Sequence, residues 1–173
     1  MFFETLSRIW VLIEKISGAI FRLCFRVFGK EYTCEAHKSL MQFVKFGMVG
    51  ISNTAIYYLL YTLSLSTIRE SGIFNGIDYV IASIIAFMLS VLWSFYWNNK
   101  MVFAIEEGQT RNLWRALIKT YISYSFTGLF LNSILIVIWV RIFHVSEFIA
   151  PIINILINVP LNFIINKLWA FRT

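Results

Sequence analysis

A chain of 173 residues that is 59% hydrophobic and 18% aromatic but only 14% charged has too little polar surface to coat a soluble domain. Its formal charge of +6 is assigned to cytoplasmic loops and anionic lipid headgroups rather than to nucleic acid, and its length leaves no room for a second folded enzyme domain. Cys24 and Cys34 are the only cysteines and lack CxxC spacing, so neither a disulfide nor a metal site is expected.

The first element in chain order is an amphipathic helix. At 100° per residue, Glu4, Arg8, Lys15, Arg22 and Arg26 fall within about 40° of one another, with Leu6, Trp10, Ile13, Ile20, Cys24 and Phe28 on the opposite side. A basic helix of this kind lies in the cytoplasmic interface, held by anionic lipid or presented to a partner enzyme. Residues 1–40 are read as this helix plus a polar linker, in which His37 is expected to be solvated. Glu4 and Arg8 and the lack of a small-residue cleavage site argue against a signal peptide.

Residues 41–173 are read as a transmembrane domain of four helices. Spanning lipid takes about 20 apolar residues. The uncharged runs from Lys45 to Arg69, Asp78 to Lys100, Lys119 to Arg141 and Glu147 to Lys167 hold 23, 21, 21 and 19 residues. Helices are required, because strands would leave unpaired edges in hydrocarbon. Of the 15 Lys and Arg, 13 fall at the termini or between Lys100 and Lys119, and only Arg69 and Arg141 fall in the other two loops. The positive-inside rule then predicts a multi-pass protein of the cytoplasmic (inner) membrane with both termini cytoplasmic. Trp93, Trp97, Trp139 and Trp169 lie near span ends, where indoles serve as interfacial anchors.

Spans two and four end alike, with SFYWNNKMVF from Ser94 and NFIINKLWAF from Asn162, at an offset of 68 residues. Two helices per unit predict a pair of parallel two-helix repeats. The same offset aligns a stripe of Asn154, Asn158, Asn162 and Asn166 with Ala86, Ser90, Ser94 and Asn98, each set on one helix face. Spans one and three add Asn53 and Asn132. Such groups avoid lipid, because an unpaired amide in hydrocarbon costs several kcal/mol. Two roles fit: interhelical glue, or a groove whose amides suit the hydroxyls of a sugar. Pro160 frees a backbone carbonyl within the stripe and leans toward the groove.

Nothing in the pattern points to catalysis. The two histidines are far apart, no glycine-rich phosphate loop occurs, and none of the nine acids lies inside a span, so neither an enzyme nor a proton-coupled exchanger is expected, and no cofactor either. Four helices alone make a narrow channel, which leaves room for a homo-oligomer.

FGMVGISNT from Phe46, the Asn98 to Phe103 segment and NKLWAF from Asn166 together resemble the GtrA-like family of small four-helix membrane proteins, over about residues 43 to 173. The resemblance implies movement of a polyprenyl-phosphate-linked sugar across the membrane for cell-surface polysaccharide or teichoic acid glycosylation, beside a membrane-associated glycosyltransferase. The first copy departs from the family pattern: Asn99 and Met101 stand where a basic residue and a tryptophan are usual. A lipid phosphate is expected to dock at the cytoplasmic span ends, on Lys45, Lys100, Lys119 and Lys167. The sugar is expected along Asn53, Ser90, Ser94, Asn98, Asn132, Asn154, Asn158, Asn162 and Asn166. The alternative is a scaffold that transports nothing and recruits a glycosyltransferase.

Overall fold

The computed structural model describes residues 2–29, 31–74, 76–105 and 108–172, with side chains from Trp10 onward. Glu4, Leu6 and Arg8, part of the expected amphipathic pattern, have side chains outside that set. All secondary structure among the described residues is helical. The chain forms two compact units, residues 1–46 and 47–173.

The first unit holds α1 (Phe2–Val27) and the opening of α2 (Cys34–Ser71). Trp10, Ile13, Ser17, Phe21 and Phe25 are half-buried and Gly18 is buried, which marks the packed side of α1. Leu12, Ile16, Ile20, Leu23 and Val27 form a second apolar stripe that is open, next to the basic side with Lys15, Arg22 and Arg26. The apolar surface of α1 is therefore wider than a single stripe, and Ile20, Cys24 and Phe28 lie on its exposed part. His37 is not simply solvated: its Nδ1 lies 2.7 Å from the Tyr32 hydroxyl, and its Nε2 lies 3.5 Å from Glu14. Lys45 sits over the Trp10 ring at 5.1 Å.

Four helical stretches are long and apolar enough to cross a membrane: Cys34–Ser71, Asp78–Val102, Leu113–Ile142 and Ala150–Ala170. At 38 residues, α2 is about 57 Å long, nearly twice the hydrocarbon thickness. Its first turns must therefore project beyond the apolar layer. The other spans combine α helix with single π turns: α3 (Asp78–Trp97) runs into Asn98–Val102, and α6 (Ala150–Ile165) into Asn166–Ala170. The third span is α4 (Leu113–Ser125), a π turn at Phe126–Leu131, α5 (Asn132–Val137) and a π turn at Ile138–Ile142.

In the second unit the usual inside and outside are exchanged. Ala82, Ala86, Ser90, Ser94 and Asn98, four residues apart on α3 and its π turn, are at most 1% exposed. On the same scale Leu156 is 71% exposed and Ile155 60%. Small and polar residues face inward so that backbones approach closely, while branched aliphatics face lipid. The third span is central, with α4 packing against both α3 and the end of α6, and α5 against α6. From α2, Ser52 accepts a hydrogen bond from Trp93 Nε1 at 3.2 Å, and the Tyr57 hydroxyl meets Ser83 at 2.8 Å.

The 68-residue offset reappears in local geometry. Both terminal π turns begin on a fully buried asparagine whose carbonyl accepts from the N–H five residues on, Phe103 to Asn98 at 2.8 Å and Phe171 to Asn166 at 2.9 Å. Phe95 stacks on Phe171 at 5.6 Å, and its counterpart Phe163 stacks on Phe103 at 5.9 Å. Phe103 and Phe171 close the cluster at 4.8 Å.

Candidate functional site

The polar seam runs inside the second unit in three groups. Farthest from the terminal π turns, Asn154 donates to the carbonyl and Oδ1 of Asn132 at 3.0 and 2.8 Å, and its own Oδ1 accepts from Trp139 Nε1 at 2.9 Å. Trp139 thus turns its N–H into the seam instead of serving only as an interfacial anchor. One turn along α6, Asn158 has a single long bond, 3.4 Å to Asn132 Oδ1. Nearer the π turn, Asn162 Oδ1 accepts from Ser123 at 2.9 Å and from Asn166 at 2.8 Å, while Asn166 also donates to Ser123 Oγ and to the Asn162 carbonyl.

On the other side of α4, Asn98 donates to Ser94 Oγ and the Tyr124 hydroxyl, both at 3.1 Å, and these two hydroxyls are 2.7 Å apart. Neighbouring residues Ser123 and Tyr124 therefore receive the asparagines of both π turns. Ser90 is buried and bonds back to the Phe87 carbonyl at 3.2 Å.

The seam is incompletely satisfied. The Oδ1 atoms of Asn98, Asn158 and Asn166 are buried and accept no hydrogen bond, and so is Oδ1 of Asn53 on α2. A buried acceptor without a donor costs about 1–3 kcal/mol. Pro160, between Asn158 and Asn162, also removes a backbone donor from the middle of α6.

Of the lysines expected to hold phosphate, Lys119 alone is among the described residues that line a cavity at this end of the second unit. Lys45 belongs to the first unit. Lys100 is exposed and folds back on its own helix, 3.3 Å from the Tyr96 hydroxyl and 5.9 Å from the Trp97 ring centre. Lys167 lies over Phe163 at 5.6 Å. Lys119 reaches across to another span, where its Nζ donates to the Trp169 carbonyl at 2.9 Å.

What gathers instead at this end is arginine. A cavity of about 340 Å³ is lined, among the described residues, by Thr110, Arg111, Asn112, Arg115, Ala116, Lys119, Ala170 and Arg172, four of them cations and none an acid. Arg111 is half-buried and held by neutral groups only: Nη1 donates to Asn99 Oδ1 at 2.8 Å and to the Phe103 carbonyl at 2.9 Å, and the guanidinium lies 5.3 Å from the Phe171 ring centre. Its buried Nε has no partner among the described residues. Burial pulls this guanidinium below its ordinary pKa. Arg111, Arg115 and Lys119 recur every four residues, so their spacing was visible in the sequence.

A polar seam enclosed by lipid-facing aliphatics, closed at one end by cations, defines a multi-pass membrane protein with a hydrophilic interior. Residues 45–171, well over half the chain, match the family described as GtrA/DPMS, transmembrane domain, and the chain belongs to that family. The family ties the chain to lipid-linked sugar translocation at a membrane. No curated protein matches the chain.

Proposed function

We propose that this protein is a flippase that carries the headgroup of a polyprenyl-phosphate-linked monosaccharide across the cytoplasmic membrane, for cell-surface polysaccharide or teichoic acid glycosylation. The observation that carries this reading is the run of buried amide oxygens on Asn98, Asn158 and Asn166 that lack donors inside a lipid-facing bundle. Sugar hydroxyls are donors of the kind such oxygens lack. Each hydroxyl taken bare into hydrocarbon costs on the order of 2–7 kcal/mol, so a hexose crosses slowly unless polar groups replace its water. The prenyl tail stays in lipid, and Asn53, Ser90, Ser94, Asn132, Asn154 and Asn162 complete the polar lining. No covalent chemistry is required of the protein.

The charge asymmetry supports cytoplasmic termini, which puts the arginine cavity on the cytoplasmic side. Cysteine introduced at Asn75 should then react with an impermeant thiol reagent in intact cells, and cysteine at Gln109 should not. Outward movement of a singly charged phosphodiester from a negative-inside cell gains about 2.3 kcal/mol per 100 mV. Purified protein in liposomes should accordingly move a fluorescent polyprenyl-phosphate sugar in both directions without ATP or a pH gradient. If no lipid-linked sugar moves under any gradient while glycosylation in cells still depends on the protein, the scaffold reading replaces this one. The open stripe of Leu12, Ile16, Ile20, Leu23 and Val27 beside Lys15, Arg22 and Arg26 favours that second reading, as a surface for anionic lipid and a membrane-associated glycosyltransferase.

A further inference from the structure

We propose that the cavity between the loop Thr110–Asn112, the first turns of α4 and the segment Ala170–Arg172 is a phosphate site, with Arg111 and Arg115 as its principal ligands and Lys119 and Arg172 closing its rim. A different explanation of the basic residues, retention of one loop on the cytoplasmic side, requires only that they be charged and solvated. Arg111 is neither free nor fully solvated. It is oriented by Asn99 and Phe103, laid on Phe171, and left with a buried Nε that has no acceptor. A planar guanidinium fixed by neutral partners keeps its full charge for a ligand and presents its donors in the geometry that phosphate oxygens match.

Four further features agree. Among the described residues the lining holds four cations and no acid, a balance of charge that attracts an anion. The cavity lies against the N-terminus of α4, where Asn112 caps the Arg115 N–H at 3.0 Å and the helix dipole favours negative charge. Its volume of about 340 Å³ lies within the range of small-molecule sites, about 300–1,000 Å³, and exceeds the needs of a structural water. Thr110 adds a hydroxyl donor to the wall.

The site also accounts for the place where the two similar span ends differ. Position 99 holds asparagine where position 167 holds lysine, and Asn99 Oδ1 is the acceptor that seats Arg111. The positive charge absent from position 99 is supplied in space by the loop. The phosphate can belong to a lipid headgroup or be free phosphate; for the lipid source, the inference rests on the transport reading above.

The test is ligand binding to the full chain in nanodiscs of zwitterionic lipid, read by displacement of a fluorescent short-chain polyprenyl phosphate, with unlabelled polyprenyl phosphate, inorganic phosphate and phosphatidylglycerol as competitors. Arg111→Gln and Arg115→Gln should each weaken binding by about tenfold or more, and Arg141→Gln, the same charge loss at the opposite span end, should leave it unchanged. Arg115 is included because its side chain holds no hydrogen bond among the described residues, so its variant should fold even where the Arg111 variant does not. Competition by polyprenyl phosphate far better than by inorganic phosphate assigns the site to the lipid. Equal competition by inorganic phosphate assigns it to free phosphate, and preferential competition by phosphatidylglycerol makes it a general anionic-lipid site and overturns the polyprenyl source. Binding insensitive to both arginine variants overturns the proposal. Flipping that persists while binding ignores the arginines removes this site alone; arginine-dependent binding without any flipping removes the transport reading alone.

Discussion

The two span ends that repeat at an offset of 68 residues share a backbone and differ in what they carry. Along α3 the inward ridge is Ala82, Ala86, Ser90 and Ser94; along α6 the matching positions are Ala150, Asn154, Asn158 and Asn162. Alanine and serine let α3 pack closely on α4, so close packing by itself has no need of amides at the α6 positions. Asn154 and Asn162 have a second use, since each is bound to the third span. Asn158 has almost none, with one bond at 3.4 Å and an oxygen that accepts nothing. The difference separates residues that join helices from a residue left over for a ligand.

The largest expected effect lies where the two copies agree. Asn98→Leu and Asn166→Leu should each lower unfolding free energy in detergent by about 2 kcal/mol, because each strands buried hydroxyls or an amide in the seam. Similar losses would show the two π turns to be equivalent in weight, and a loss confined to one would break the equivalence. A smaller effect is expected at the position where the copies differ. Asn99→Lys restores the family's basic residue but removes the Arg111 acceptor and sets a second cation beside it, and should lower stability by about 1 kcal/mol. The smallest is Asn158→Ser, which gives α6 the residue found at the matching place in α3 and should change stability by less than about 0.5 kcal/mol.

Much of this organisation was legible in the sequence. Uncharged runs of about 20 residues locate the spans because lipid thickness and helix rise leave little freedom. The every-fourth-residue amides mark the inward face of α6 because lipid excludes them. The π turns were not legible: the N–H groups that reach five residues back to Asn98 and Asn166 belong to Phe103 and Phe171, whose rings stack on each other, and no local propensity marks them. Nor was the division of labour among the asparagines, since Asn154 and Asn158 read alike until the positions of Asn132 and Trp139 are known. The expectation that lysines would bind phosphate followed charge at span ends; Arg111, Arg115 and Lys119 had the spacing of one face, but the positive-inside rule already accounted for them. Arg172 joins them only through the fold.

The central claim is that the seam carries a sugar and does more than join helices, and Asn158 tests it most directly because so little structure depends on it. The measurement is the rate at which a fluorescent polyprenyl-phosphate sugar crosses liposomes holding the wild-type protein or Asn158→Leu, with thermal unfolding recorded for both. Crossing should slow by about tenfold, equivalent to about 1.4 kcal/mol of barrier, with unfolding essentially unchanged. Equal crossing rates at equal protein content would contradict it and leave the asparagines of α6 as packing residues.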